Sequence, residues 1–245
     1  PHHMLDIVKP TTLFSVVKYK ELADKAIEKI IAKGKTPIIC GGTGFYIDSI
    51  VKNITLPEVK IDKKLRKRLE KLSAEKLFDV LKKLSPTRAK TIDKYNKVRL
   101  IRAIEIAKAL GDVPEIQEGP QKYDFIFIGL DTKDNIVKER IEKRLLKRIK
   151  LGMINEIKKL HKQGVSWKRL ESFGLEYRET AKYLQEISRH ARDKKSLKKQ
   201  MIENLKNDIW HFVKRQRTWF KRNKSIKWFE PKEINKILKY IKKVA

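Results

Sequence analysis

Thr36-Pro37-Ile38-Ile39-Cys40 is a short apolar run that ends on Gly41-Gly42-Thr43, and this junction constrains the fold more than any other segment. Before it, Ser15 stands where a helix N-cap would. Val17, Leu22, Ala23, Ala26, Ile27, Ile30 and Ile31 then recur near a 3.6-residue period. Gly34 is expected to end that helix at its C′ position. The run 36–40 reads as a buried strand with Pro37 tolerated at its start, and a further helix is expected over 44–51. Helix, buried strand, glycine turn and helix is the order found in a parallel sheet.

From residue 56 the pattern changes. Residues 57–110 contain no convincing strand, while 62–72, 73–84 and 96–110 read as amphipathic helices, the last ended by Gly111. Gly111, Pro114, Gly119 and Pro120 mark a return linker. Residues 56–122 are therefore expected to form a helical insertion in an α/β core made of 1–55 and 123–245. In the second part of that core, 123–130 reads as a strand buried on both faces and 134–163 as one long helix. Helices follow near 175–188 and 196–222, with a short strand at 226–229 and a closing helix at 233–244.

The 245 residues hold 60 Lys and Arg against 30 Asp and Glu, a formal net charge of +30. Such an excess points to a polyanionic partner, nucleic acid before an anionic membrane surface. The longest apolar run, 125–130, is far short of a membrane span, and no basic amphipathic helix with an open apolar face stands out. The single cysteine, Cys40, rules out an internal disulfide framework and fits a reducing compartment such as the cytoplasm.

Several groups of residues could carry chemistry. Gly41 and Gly42 would let backbone N–H groups approach an anion at a strand end, and Thr43 adds a hydroxyl; the alternative is a plain tight turn. Gly34-Lys35-Thr36 is not the end of a P-loop, because position 29 is Lys and a helix precedes it. No other GxxxxGK[ST] occurs. Arg140, Arg144 and Arg148 share one face of the 134–163 helix, one position from the apolar stripe Val137, Ile141, Leu145 and Ile149. Arginines at such a seam suit bidentate phosphate recognition, and the alternative is a solvated face paired with Glu139 and Glu142. The runs 60–71 and 214–222 are strongly basic. The second interleaves Trp219 and Phe220, whose spacing fits a packed stripe better than base stacking. His161, His190 and His211 have no partner at metal-ligand spacing, and no protein metal site is expected.

Six segments together resemble the tRNA dimethylallyltransferase (tRNA isopentenyltransferase) family and occur in its order. They are 1–6 (PHHMLD), 41–46 (GGTGFY), 98–105 (VRLIRAIE), 140–144 (RIEKR), 172–179 (SFGLEYRE) and 214–220 (KRQRTWF). The resemblance implies a P-loop-NTPase-like parallel sheet core with a helical insertion that grips tRNA. It implies transfer of a dimethylallyl group from dimethylallyl diphosphate to N6 of adenosine 37 in the tRNA anticodon arm, with Mg²⁺ carried on the diphosphate. By the same mapping Thr43 and Arg144 are catalytic, and Arg140, Arg144, Gly41 and Gly42 face the diphosphate. The tRNA-contacting positions are Thr43, Arg66, Val98, Arg99, Leu100, Ile101, Arg102, Phe173, Gly174, Tyr177, Arg178, Lys214, Arg215, Gln216, Arg217, Thr218, Trp219 and Lys221. Gly174-Leu175-Glu176-Tyr177 is longer than the family's commoner Gly-Tyr form. The family's first strand, its P-loop and its general-base aspartate have no match. The expectation is thus a monomeric, N-terminally truncated core, inactive as it stands. A non-catalytic RNA-binding module is the rival.

Overall fold

The computed structural model describes residues 1–189 and 193–244, a mixed α/β chain that is mostly helical with small sheets. It divides into two compact units, Pro1–Ile47 with Asp124–Ala245, and Asp48–Tyr123.

In the first unit, α1 (Val16–Ile31) is capped by Ser15, whose hydroxyl accepts from the Lys18 N–H. Its C-cap is Ala32, and Gly34, two residues on, turns the chain at φ 64°. The strand expected over 36–40 is absent. The segment makes no ladder, and the Ile38 side chain is 87% exposed. A strand persists only with a neighbour to take its N–H and C=O groups, and no described strand lies alongside this one. The glycine turn leads into α2 (Gly44–Val51), as expected.

The strand expected over 123–130 shrinks to β3 (Ile128–Leu130), which pairs in parallel with β4 (Lys227–Phe229). It is not buried on both faces: Ile126 and Leu130 are exposed. The long helix expected over 134–163 is two helices, α7 (Asp134–Lys150) and α8 (Met153–Lys162). They are separated by Gly152 at φ 102°, a conformation that ends helical hydrogen bonding and that glycine adopts without a steric penalty. The apolar positions Leu145, Ile149, Met153 and Ile157 keep a spacing of four through this break, so periodicity alone hides it.

Helices α9 (Trp167–Ser172), α10 (Leu175–Arg189) and α11 (Lys194–Phe220) complete the bundle, and α12 (Ile234–Val244) ends the described chain. Leu145, Ile157, Leu170, Ala181 and Leu205 meet in its core. α12 corrects one expectation. It is strongly amphipathic and basic, none of its residues is buried, and Ile234 and Leu238 lie exposed on its apolar face.

In the second unit, β1 (Ile54–Thr55) and β2 (Gln117–Glu118) pair antiparallel. Asn53, at φ 44°, donates its side-chain amide to the Pro120 carbonyl, and its own carbonyl lies too close to Gly119 for a Cβ there. Between them run α3 (Lys63–Leu69), α4 (Ala74–Leu84), α5 (Pro86–Thr91) and α6 (Lys97–Leu110). Asp62, Ser73 and Asn96 cap three of these through their side chains, and Gly111 at φ 87° ends α6. Leu77, Leu81, Leu100 and Ile104 fill the centre of this unit's own core. The short α5 and the β1–β2 pair were not anticipated; six and two residues are too few to show a period.

Candidate functional site

The first unit places its candidate residues on α7, α10 and α11. Arg140 and Arg144 project from α7 into solvent, while Arg148, one turn further, is half-buried. All three line a cavity of about 140 Å³ together with Glu176 and Ile209. Glu176 forms an ion pair with Arg148, and its Oε1 lies 4.0 Å from Nη1 of Arg144. The turn before α10 fixes that carboxylate. Gly174 (φ 78°) and Leu175 (φ 37°) are both left-handed, so the helix starts with Glu176 and Tyr177 in its first turn. Left-handed backbone is common for glycine and strained for leucine. Tyr177 donates its hydroxyl to Glu156 of α8 at 2.5 Å. Burial, reinforced by that carboxylate, pushes the Tyr177 hydroxyl up to about 12.

α11 supplies the second part of the site. Gln216 donates to the Gly42 carbonyl at 2.8 Å, and a Cβ on Gly42 would stand 1.9 Å from the same amide nitrogen. A Cβ on Gly44 would lie 2.2 Å from the Trp219 ring, which also meets Phe45 edge-on at 6.4 Å. The glycines at 42 and 44 thus let α11 approach the turn, a packing reason that sequence alone did not give. Gly41 has open space around it and Thr43 is exposed. Ile209 and Gln216 are seven residues apart on α11, hence on one face and about 10 Å apart along its axis. One helix face therefore carries both the arginine cavity and the glycine turn.

The basic run at the end of α11 divides by environment. Arg217 is largely buried: its guanidinium bonds Asp131 at 3.0 and 2.7 Å, Asp134 at 2.6 Å and the Thr132 carbonyl at 2.8 Å. Hydrogen bonding to Asp134 is the main reason its pKa is raised. Lys214, Arg215, Thr218 and Lys221 are exposed. On α10, Arg178 pairs with Asp208 at 2.6 Å and with Glu179 at 3.2 Å. Phe173 stacks under the Arg169 guanidinium at 4.6 Å and meets Tyr177 edge-on.

In the second unit, one buried carboxylate organises two of the candidate arginines. Glu105 on α6 accepts Arg66 at 2.8 and 2.7 Å, Arg102 at 2.7 Å and the Asp62 N–H at 3.0 Å. Burial alone would push its carboxyl up, but the Arg66, Arg102 and Asp62 hydrogen bonds overcome this and hold it below the ordinary carboxylate range. Arg102 also donates to the Val59 carbonyl at 3.0 Å. Leu100 and Ile101 point into the core, so their side chains offer nothing to a partner. Arg99 is exposed, and Val98 is 79% and Tyr95 78% exposed. Tyr95, with Lys94 over its ring at 5.2 Å, is a surface aromatic that the motif reading passed over.

His161 stacks on Trp167 at 3.7 Å, His211 is exposed, and His190 lies outside the described residues. Among the described residues no group of three or more His, Cys, Asp or Glu is placed to hold a metal ion, and no helix is long and apolar enough to cross a membrane.

Comparison with known proteins follows the same lines. The model of the IPP transferase family matches residues 1–223. tRNA dimethylallyltransferase 1 of Syntrophus aciditrophicus is 37% identical over 224 residues, covering 91% of this chain and 70% of its own length. The tRNA dimethylallyltransferase of Lachnoclostridium phytofermentans is 37% identical over 243 residues, covering 96% of this chain and 75% of its own. The solved structure of the full-length tRNA isopentenylpyrophosphate transferase of Bacillus halodurans superposes with a TM-score of 0.66 at 29% identity, covering 100% of this chain and 77% of that one. A match of this extent in sequence and fold settles the lineage: the chain belongs to the IPP transferase family.

Proposed function

We propose that this chain works in the transfer of a dimethylallyl group from its diphosphate to N6 of adenosine 37 in the tRNA anticodon arm, as a cytoplasmic monomer. The N6 lone pair attacks C1 of the allyl group. The C1–O bond breaks, pyrophosphate leaves with that bond's electron pair, and the N6 proton passes to a base. Arg144, with Arg140 beside it, meets the charge growing on the pyrophosphate, and electrostatic stabilisation of this kind is usually the largest catalytic contribution. Mg²⁺ arrives on the diphosphate as part of the substrate. Thr43 lies beside the reacting adenine. The adenine must leave its stack, at a cost of a few kcal/mol that tRNA contacts offset.

The observation that carries this reading is the exposed pair Arg140 and Arg144 at a cavity on the α11 face that also holds the Gly42–Thr43 turn. The α3–α6 unit, the Phe173–Arg178 turn and the exposed Lys214, Arg215, Thr218 and Lys221 supply the tRNA grip, with Arg66 and Arg102 aimed by Glu105. The parallel β3–β4 pair belongs to a P-loop-type core. The 245 residues contain no GxxxxGK[ST], so they hold tRNA without turning over by themselves.

The test has two arms. tRNA affinity of the chain should fall steeply and linearly on a log–log plot against salt; a flat plot sinks the tRNA reading. Labelled dimethylallyl should reach tRNA only when the family's P-loop segment is joined to the chain. A folded, joined protein that binds tRNA but never transfers the label would leave the binding module instead.

A further inference from the structure

Three arginines of α7 line the cavity, but one carboxylate meets them. Glu176 is 14% exposed and faces both Arg148, its tight partner, and Arg144, whose Nη1 is 4.0 Å from the same oxygen. The Arg148 side chain is 32% exposed and that of Arg144 69%. A carboxylate this close to an anion-binding arginine opposes the anion directly and also competes for the guanidinium. Arg148 removes both difficulties. It neutralises Glu176, and it occupies the oxygen that would otherwise draw Arg144 down onto the helix surface.

We propose that Glu176 is a positioning residue for anion recognition: it takes Arg148 out of the arginine row and leaves Arg140 and Arg144 as the pair that meets a compact polyanion of the inorganic pyrophosphate class. The proposal rests on the diphosphate reading above and adds a division of labour within the row. The left-handed Gly174 and Leu175 bring the carboxylate to this point, and the bond from Tyr177 to Glu156 braces the same helical turn. The row then presents two positive charges instead of three, enough to hold pyrophosphate without trapping it.

The test is calorimetric titration of the 245-residue chain with inorganic pyrophosphate, without tRNA. Glu176→Gln frees a third guanidinium and should tighten pyrophosphate binding at least threefold, the opposite of what loss of a purely structural residue would do. Arg148→Met leaves Glu176 to capture Arg144 and should weaken binding at least threefold. The double variant restores the wild-type charge of the row and should bind within twofold of wild type. No tightening in Glu176→Gln, or a double variant as weak as Arg148→Met, overturns the proposal. Should Glu176→Gln not fold, Arg148→Met decides: weaker binding supports the proposal and unchanged affinity overturns it. Arg144→Ala separates the two layers. If it leaves pyrophosphate binding unchanged, the diphosphate reading itself fails; if it weakens binding while Glu176→Gln has no effect, only the role of Glu176 fails.

Discussion

Gln216 donates its side-chain amide to the carbonyl of Gly42 at 2.8 Å, across 174 residues of sequence. The contact joins the glycine turn to the helix bearing the Lys214–Trp219 run, and it explains why position 42 carries no side chain. What Gly42 abuts is the far end of a flexible chain, whereas Gly44 abuts the rigid Trp219 ring. The two glycines should therefore respond differently. Gly44→Ala should destabilise the protein by about 1–3 kcal/mol, the usual range for overpacking. Gly42→Ala should cost only about 1 kcal/mol, the value of one hydrogen bond. Urea unfolding of both variants measures the difference, and equal losses would show that Trp219 yields as easily as Gln216.

Arg217 and its neighbours should separate into two classes. Arg217→Ala strips Asp131 and Asp134 of their partner and should lower stability by about 1–2 kcal/mol, discounted because Asp134 is well exposed. It should leave the salt dependence of tRNA binding unchanged. Lys214→Ala and Lys221→Ala should do the reverse, each lowering the log–log salt slope by about 1 if its ammonium meets a phosphate. A slope change in Arg217→Ala comparable to that in Lys214→Ala would return Arg217 to the set that touches tRNA.

Glu105 links acid stability to the α3–α6 unit. Its carboxyl sits below the ordinary range in the folded state. The stability it contributes is thus complete above the unfolded value of about 4.3 and is lost as pH falls through the lower folded value. Glu105→Gln should cost about 1–3 kcal/mol at pH 7, allowing for the partial exposure of Arg66 and Arg102. The gap between wild type and variant should narrow as the pH is taken below 4. A gap that stays constant from pH 7 to pH 2 would show that the carboxylate is not what holds the arginines.

Tyr177 gives the opposite sign. Its hydroxyl is raised to about 12, so the stability it adds is complete below the unfolded value of about 10 and is lost as pH climbs towards 12. Burial also raises the Tyr19 and Tyr46 hydroxyls, so ultraviolet titration should show several tyrosines ionising late, and Tyr177→Phe should remove the step near 12. A titration in which Tyr177→Phe removes a tyrosine of ordinary pKa would show that Tyr177 is neither buried nor bonded to Glu156 in solution.

The helices with side-chain caps were legible in the sequence because their signals are local. Asn96 and Gly111 bound α6 where the residue pattern places its ends, and Ser73 does the same for the start of α4. What escaped depends on partners far along the chain. Residues 36–40 have strand composition but lack a described neighbour to pair with. The 134–163 pattern runs unbroken through Gly152 because an apolar period does not register a single left-handed residue. Arg66 and Glu105 are 39 positions apart, so nothing in either segment shows that a buried carboxylate aims the guanidinium. The motif reading placed Leu100 and Ile101 with Val98 and Arg99 because they adjoin in sequence, but a helix turns neighbours to different sides.

The two left-handed residues at the entry to α10 make that turn a counting device. An α-helix advances about 100° per residue, so removing one residue from the Phe173–Leu175 turn would rotate every side chain of the following helix relative to its neighbours. Glu176 and Tyr177 would swing away from Arg148 and Glu156 together, while the fixed core positions Ala181 and Leu184 would resist the rotation. Within this lineage, a change in loop length at this point would therefore act on the electrostatics of a distant arginine row as directly as a change of residue type.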